Sequence, residues 1–316
     1  MNKDATLQTI NGEPTLRFER RLAHPPAKVW RAVSDPAEMA HWFPAAVEAE
    51  LRPGAPMRFV FPGDLEVEGA SDGEVLEVDP PKVFMFRWND DVLRFELLPD
   101  GDGCLLVFTQ TIGGGRTGLL GAGRTAAGWD TCLAELAGRL DGTTVPARTD
   151  WLGPMEHYIE KFGLAEGTVR ETGDGHELTF ARDLVWKPAD EVWRLLVGGT
   201  EPSIGGEPPT PATNGYVRPG KVTKADAPRL LEYEWLHEGT PAGTVRWEIV
   251  SDPRLGVRVE LTQTLPRRLA ALRATALAAW HVHLELFFAA THGDQRCPWP
   301  ADRTDQLTRK YETQLT

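Results

Sequence analysis

The chain has 316 residues, 41% of them apolar, and a formal net charge of −12. That length favours two domains over one. The acidic balance argues against nucleic acid or an anionic membrane surface as a partner, because either needs a basic face.

The opening segment, "MNKDATLQTINGEPTLRF", has no apolar core ahead of a small-residue cleavage site, so no secretory signal is expected. "TLRFERRL" (15–22) then places Leu16, Phe18 and Leu22 at even spacing, the pattern of a half-buried strand. Pro25 and Pro26 end it and suit the first turn of a helix whose apolar face is Val29, Trp30 and Val33. In "DPAEM" a second short helix is expected, with Asp35 as cap, Pro36 at the first position and Glu38 three residues after the cap. Its apolar face is Met39, Trp42 and Phe43.

The period then changes to two. "VEAELR", "MRFVF", "LEVEG", "GEVLEV", "VFMFRW", "VLRFELL" and "CLLVFTQT" read as short strands, mostly separated by Gly, Pro or Asp turns. "RTAAGWDTCLAELAGRL" (124–140) returns to helical spacing, with Trp129, Leu133, Leu136 and Leu140 on one stripe. A curved antiparallel sheet folded around this helix would bury the stripe.

The second half repeats the first. "PPAKVWRAV" (25–33) recurs as "PADEVWRLL" (188–196), "VFMFRW" as "LLEYEW", "LRFELL" as "VRWEIV", and "VFTQTI" as "ELTQTL". Trp30 and Trp193, Trp88 and Trp235, and Trp129 and Trp280 mark matched points. The pattern is a tandem duplication. The copies differ in length: Trp30 to Val75 is 45 residues, whereas Trp193 to Val222 is 29. A Gly- and Pro-rich stretch, "GGTEPSIGGEPPTPATNG", stands where the second helix and at least one strand are missing, so the second copy is expected to lack a wall of any pocket. The expected organisation is a first domain over 1–142, a linker with a short helix over 143–175, a truncated second domain over 176–293, and a tail with a possible helix over 294–316.

Residues 17–142 resemble the SRPBCC (START-like, birch-pollen-allergen-like) superfamily, in the branch similar to the C-terminal domain of the activator of heat-shock-protein-90 ATPase. The motifs that carry the resemblance are "PPAKVWRAVSDPAEMAHWFP", "GAPMRF", "GEVLEVDPPKVFMFRW" and "GWDTCLAEL", with "HYIEKFG" after the helix. Ala55 stands where many members have a second Gly. The resemblance implies an α+β helix-grip fold with a cavity between sheet and long helix. Fold alone does not give function.

Trp42, Phe43, Phe59, Phe61, Met85, Trp88, Phe95, Trp129 and Leu133 are the expected lining of that cavity in the first domain, an apolar and aromatic set suited to a small molecule. The other features weigh less. "GGGRTGLLGAGR" (113–124) lacks the GK[ST] of a phosphate loop and reads as a flexible connection that could gate the cavity mouth. His281 and His283, two apart on a helix, point roughly 200° from each other and do not share a metal ion. His41, the Arg94–Glu96 and Arg246–Glu248 pairs, and Glu66 and Glu68 read as solvent-facing. Cys132 reads as a small apolar residue, and no catalytic triad assembles from local signals. Neither CxxC spacing nor an even count joins the three cysteines, which suits free thiols in the cytoplasm. The sequence therefore favours binding of an apolar small molecule in the first domain, with no cofactor or metal. A cyclase- or hydrolase-like enzyme in the same cavity and a co-chaperone-type protein-interaction module are the alternatives.

Overall fold

The computed structural model describes residues 4–61, 72–185 and 187–316. The expected "LEVEG" strand, with Glu66 and Glu68, lies outside them. The chain divides into two compact units, Met1–Phe162 and Gly163–Thr316. Each is an α+β helix-grip domain.

Unit 1 runs β1 (Thr6–Ile10), β2 (Glu13–Leu22), α1 (Pro26–Ser34), α2 (Pro36–Met39), β3 (Ala46–Ala49), β4 (Pro56–Val60), β5 (Asp72–Asp79), β6 (Val83–Trp88), β7 (Asp91–Asp100), β8 (Gly103–Thr111), α3 (Gly115–Leu119), α4 (Ala122–Asp141) and α5 (Leu152–Lys161). The described strands form one sheet in the order β1-β2-β8-β7-β6-β5-β4-β3. Unit 2 runs β9 (Thr168–Glu171), β10 (Gly175–Asp183), α6 (Ala189–Val197), β11 (Pro219–Asp226), β12 (Leu230–His237), β13 (Thr240–Asp252), β14 (Gly256–Pro266), α7 (Arg273–Thr291) and α8 (Ala301–Gln314). Its sheet order is β11-β12-β13-β14-β10-β9. The counterparts of α2, β3 and β4 are the elements that the shorter copy replaces with a loop.

Local chemistry explains the helix starts. α1 opens on Pro26, and α2 opens on Asp35, whose carboxylate accepts the Ala37 N–H at 2.9 Å. Glu38 does not complete a capping box; it pairs with Arg139 of α4 at 3.3 Å and with Arg31 at 3.5 Å. α7 is buried on almost every side, as an all-round apolar helix must be, because α8 covers the flank that the sheet leaves open.

The duplication extends to register. Leu93 pairs with Gln110 across β7 and β8, and Val245 pairs with Gln263 across β13 and β14. It also extends past the expected domain ends. In unit 1 the Tyr158 hydroxyl of α5 accepts the Ala5 N–H at 3.0 Å and donates to Asp130 on α4. Asp130 also accepts Arg20 from β2 at 2.5 Å. In unit 2 the Tyr311 hydroxyl of α8 accepts the Gly167 N–H at 3.0 Å and lies 2.8 Å from Nδ1 of His281, which occupies the place of Asp130. His281 Nε2 faces the Glu285 carboxylate at 3.3 Å, so its proton sits there, Nδ1 accepts and Tyr311 donates. Arg182, in the place of Arg20, donates to the Ala165 carbonyl at 2.7 Å.

Residues 143–175 are thus divided between the units instead of linking them. α5 closes unit 1 and β9 opens unit 2; the tail after 293 supplies α8, with Leu307 and Tyr311 buried. Tyr158→Phe would strip a partner from both the Ala5 N–H and the Asp130 carboxylate. The expected cost is about 1–3 kcal/mol, read as faster amide hydrogen exchange in β1; unchanged exchange would show that the tyrosine does not hold the strand.

Candidate functional site

The period of two decides which side chains face α4. On β6 it sends Phe84, Phe86 and Trp88 inward; on β7, Leu93, Phe95 and Leu97; on β8, Leu106, Phe108 and Gln110. Phe59 reaches the same layer from β4, Trp42 and Phe43 from the end of α2, and Trp129 and Leu133 from α4. Trp42 is held by its indole N–H, which donates to the Ala32 carbonyl at 2.8 Å.

These rings form a continuous ladder. Phe61 and Trp88, both half-buried, stack at 5.8 Å; Trp88 stacks on Phe59 at 4.6 Å and meets Phe43 at 5.5 Å. Phe43 meets the buried Trp129 at 5.6 Å, and Trp129 packs edge-on against Phe108 at 4.6 Å. Phe95 continues the layer at 4.6 Å from Phe108 and 5.9 Å from Trp42. The close approach of Phe59 needs Gly73 beneath it, since a Cβ there would lie 2.6 Å from the ring.

A polar chain caps the inner end of the ladder. The Trp129 indole N–H donates to the Gln110 side-chain carbonyl. The Gln110 amide donates to Asp91 at 2.5 Å, and the other Asp91 oxygen accepts the Gly113 N–H at 2.7 Å. Burial raises the Asp91 pKa, opposed by those two hydrogen bonds and by the charge of Arg124. With both oxygens engaged, Asp91 fastens the start of the Gly-rich segment, which folds into α3.

The structure brings together eight of the nine expected lining residues, Trp42, Phe43, Phe59, Phe61, Trp88, Phe95, Trp129 and Leu133. Met85 is the exception. Adjacent to Phe84 and Phe86 on a strand, it must point the other way, and it lines a groove of about 260 Å³ on the outer face of the sheet. Arg94 lines the same groove and pairs with Glu77 at 2.5 Å. Arg246 likewise pairs on the outer face with Glu248 at 2.9 Å and with Glu232 at 3.2 Å. His41 is exposed. Burial, aided by the charge of Glu135, pushes the Cys132 thiol up to about 12, which keeps it protonated and poorly nucleophilic.

Phe84, Phe86, Phe108, Gln110 and Asp91 escaped the sequence analysis. Counting back in twos from Trp88 recovers the first two. The duplicated "TQT" beside the duplicated Trp was the signal for Gln110: in unit 2 the Trp280 indole N–H donates to Gln263 at 2.7 Å. The place of Asp91 there is Gly243, where a Cβ would meet the Thr264 carbonyl oxygen at 2.4 Å, and Gln263 Nε2 has no hydrogen-bond partner among the described residues.

A family model described as Activator of Hsp90 ATPase homolog 1-like protein matches residues 23–141. That stretch is a domain of this family. The match omits β1, β2 and α5, the elements joined by the Tyr158 clasp. Comparison with curated proteins gives no match. Among solved structures, a conserved protein of unknown function from Enterococcus faecalis is similar at 22% identity, covering 50% of this chain and 90% of that one, with a TM-score of 0.42. CalU16 from Micromonospora echinospora is similar at 18% identity over 51% of this chain and 95% of that one, with a TM-score of 0.39. DynU16, from the dynemicin biosynthetic locus, is similar at 21% identity over 88% of this chain and 98% of that one, with a TM-score of 0.38. Among the described residues no helix is long and apolar enough to cross a membrane.

In unit 2 the replacement loop supplies its own covering of the inner face. His281 and His283 serve separate partners: His281 joins Tyr311 and Glu285, while His283 Nε2 donates to the Pro211 carbonyl at 3.0 Å. Burial lowers the His283 pKa to about 4. The unfolded chain takes up this proton near pH 6.5 and the folded chain does not, so the stabilisation is complete above about 6.5 and declines as pH falls towards 4. The loss by pH 4 amounts to roughly 3 kcal/mol. Comparing urea unfolding of unit 2 at pH 7 and 4.5 for wild type and His283→Gln checks this, because carboxylate effects cancel; the variant should show the smaller loss.

Proposed function

We propose that unit 1 binds one planar, apolar small molecule within its aromatic ladder, in the cytoplasm and without catalysing its conversion. The observation that carries this reading is the path from half-buried Phe61 and Trp88 to buried Phe43 and Trp129, a row of rings whose half-buried end offers a flat ring a face to stack on. Nothing in the ladder itself is charged, so a charged ligand would enter without compensation. Support for binding over catalysis comes from the groups that chemistry would need. Asp91 has both oxygens occupied, and Cys132 is held as a thiol. The three free cysteines, one of them exposed, fit a reducing compartment.

The test is a fluorescence titration of the full chain with N-phenyl-1-naphthylamine, a neutral probe that joins a naphthyl and a phenyl ring system. One saturable site that quenches tryptophan emission is expected. Trp88→Ala should weaken it about tenfold or more, since a stacked ring contributes roughly 1–3 kcal/mol, whereas Leu98→Ala on the exposed outer face should leave it unchanged. Absence of saturable binding, or equal affinity in Trp88→Ala, would reject the ladder as the site.

A further inference from the structure

The outer face of the unit 1 sheet carries the groove of about 260 Å³ that Met85 and Arg94 line. Strand parity sets its floor: Val92, Arg94 and Glu96 on β7, and Val107 and Thr109 on β8, alternate with the residues that face α4. Val107 is buried although it lies on the side away from the helix, so the groove has depth.

The charges in and beside it are unevenly matched. Arg17 pairs with Glu19 at 2.7 Å, and Arg94 reaches across Met85 to Glu77 at 2.5 Å. Glu96 is left over. It is half-buried, its cross-strand neighbours are Val83 and Val107, and its carboxylate has no hydrogen bond or ion pair among the described residues. Among these five groups, two cations stand against three carboxylates.

The second copy shows why Glu96 is unmatched. In unit 2 the run Lys224, Glu232, Arg246 and Glu248 alternates in sign and is closed by contacts of 3.1, 3.2 and 2.9 Å. Unit 1 has Glu77, Met85, Arg94 and Glu96 at those places. With Met85 where unit 2 has a carboxylate, Arg94 turns to Glu77 and leaves Glu96 alone. Val92 and Val107 likewise stand where unit 2 has Thr244 and Glu260, the latter paired with Arg258 at 2.6 Å. Where unit 2 has a closed charge ladder, unit 1 has an apolar floor beside one unmatched acid.

We infer that this groove binds a small primary amine, with its ammonium on Glu96 and its apolar body on Met85, Val92 and Val107. The groove lies on the opposite face of the sheet from the aromatic ladder, and the inference is independent of the reading proposed for the ladder.

The chemistry of the ligand follows from the groups present. An anion would meet the charge of Glu96, and a neutral molecule would cover that carboxylate without compensating it. An ammonium donates to Glu96 and to the Thr109 hydroxyl, which is diagonal to it on β8 and also lacks a partner among the described residues. Arg17 and Arg94 do not repel it as free cations would, because each is matched by its own glutamate. The volume falls below the range of drug-sized pockets, which limits the body to about one ring or a short chain.

The experiment compares 2-phenylethylamine with 2-phenylethanol, which keeps the ring and chain and lacks the charge. Both are titrated by calorimetry into the full chain at neutral pH. One equivalent of the amine per chain is expected, held about tenfold more tightly than the alcohol, the difference made by a charge-assisted hydrogen bond. Glu96→Gln keeps the shape of a partly exposed side chain and should weaken the amine about tenfold. Glu248→Gln, at the matching place in unit 2, should leave amine binding unchanged. Equal or tighter binding of the alcohol, which is what uptake by an uncharged site would give, overturns the inference. Full amine affinity in Glu96→Gln overturns it too, and so does an equal loss in Glu248→Gln. Salt supplies a second measurement on the wild type alone. Raising NaCl from about 20 to about 300 mM should weaken the amine several-fold and leave the alcohol unaffected, and salt-independent amine binding overturns the inference as well.

Discussion

A tryptophan on the long helix hydrogen-bonded to a glutamine on the last strand is the interaction on which both units depend. Trp129 joins Gln110 in one, and Trp280 joins Gln263 in the other. Trp280 is fully buried and Trp129 nearly so, and the indole N–H of such a ring must find an acceptor or forfeit the free energy of its lost hydration. The glutamine carbonyl provides it from a strand whose neighbours on both sides also face the helix. One bond therefore sets where the helix lies along the sheet. Everything packed beneath it, from Phe108 and Phe95 in unit 1 to Trp247 in unit 2, takes its position from that choice.

What lies beside the glutamine distinguishes the two copies. Unit 1 continues the chain of hydrogen bonds through Asp91 to the Gly113 amide, so its Gly-rich connection is fastened to the inner layer. Unit 2 has Gly243 at that place, crowded by the backbone of β14, and its polar network moves elsewhere, to Tyr233, Trp247 and His283. A family resemblance covers the scaffold of unit 1. It does not reach these differences, which lie in single side chains.

Much of this architecture was legible in the sequence, and the reasons differ by element. Alternation and the matched tryptophans made the sheets, the long helices and the duplication readable. The proline-led helix starts were equally plain, because proline at the first helical position acts locally. Helices in the middle segment and in the tail were readable from their apolar spacing, but their attachment to the units was not, nor were β1 and β9: these rest on Tyr158 and Tyr311, whose partners lie far away in the chain, and no local pattern encodes such a bond. Within the site, Trp42, Phe43, Phe59 and Trp129 emerged from bulk and aromatic character alone, whereas Met85 was assigned to the wrong face because size was weighed without parity. Asp91 and Gln110 stayed hidden since a polar residue inside a strand reads as outward-facing until its partner is known.

The tyrosine clasps also bear on how the chain reaches its folded state. Ala5 and Tyr158 are 153 residues apart, and Gly167 and Tyr311 are 144 apart. Contacts of such separation require nearly the whole unit to exist before they can form, which places both domains among slowly folding topologies. On the ribosome, at roughly 5–20 residues per second, the first strand of each unit waits about 7–30 seconds for the helix that secures it. Through that interval β1 and β9 are unclasped sheet edges, and the charged residues around them, Asp4 and Glu13 in one and Glu171 and Asp174 in the other, discourage pairing with a neighbouring chain.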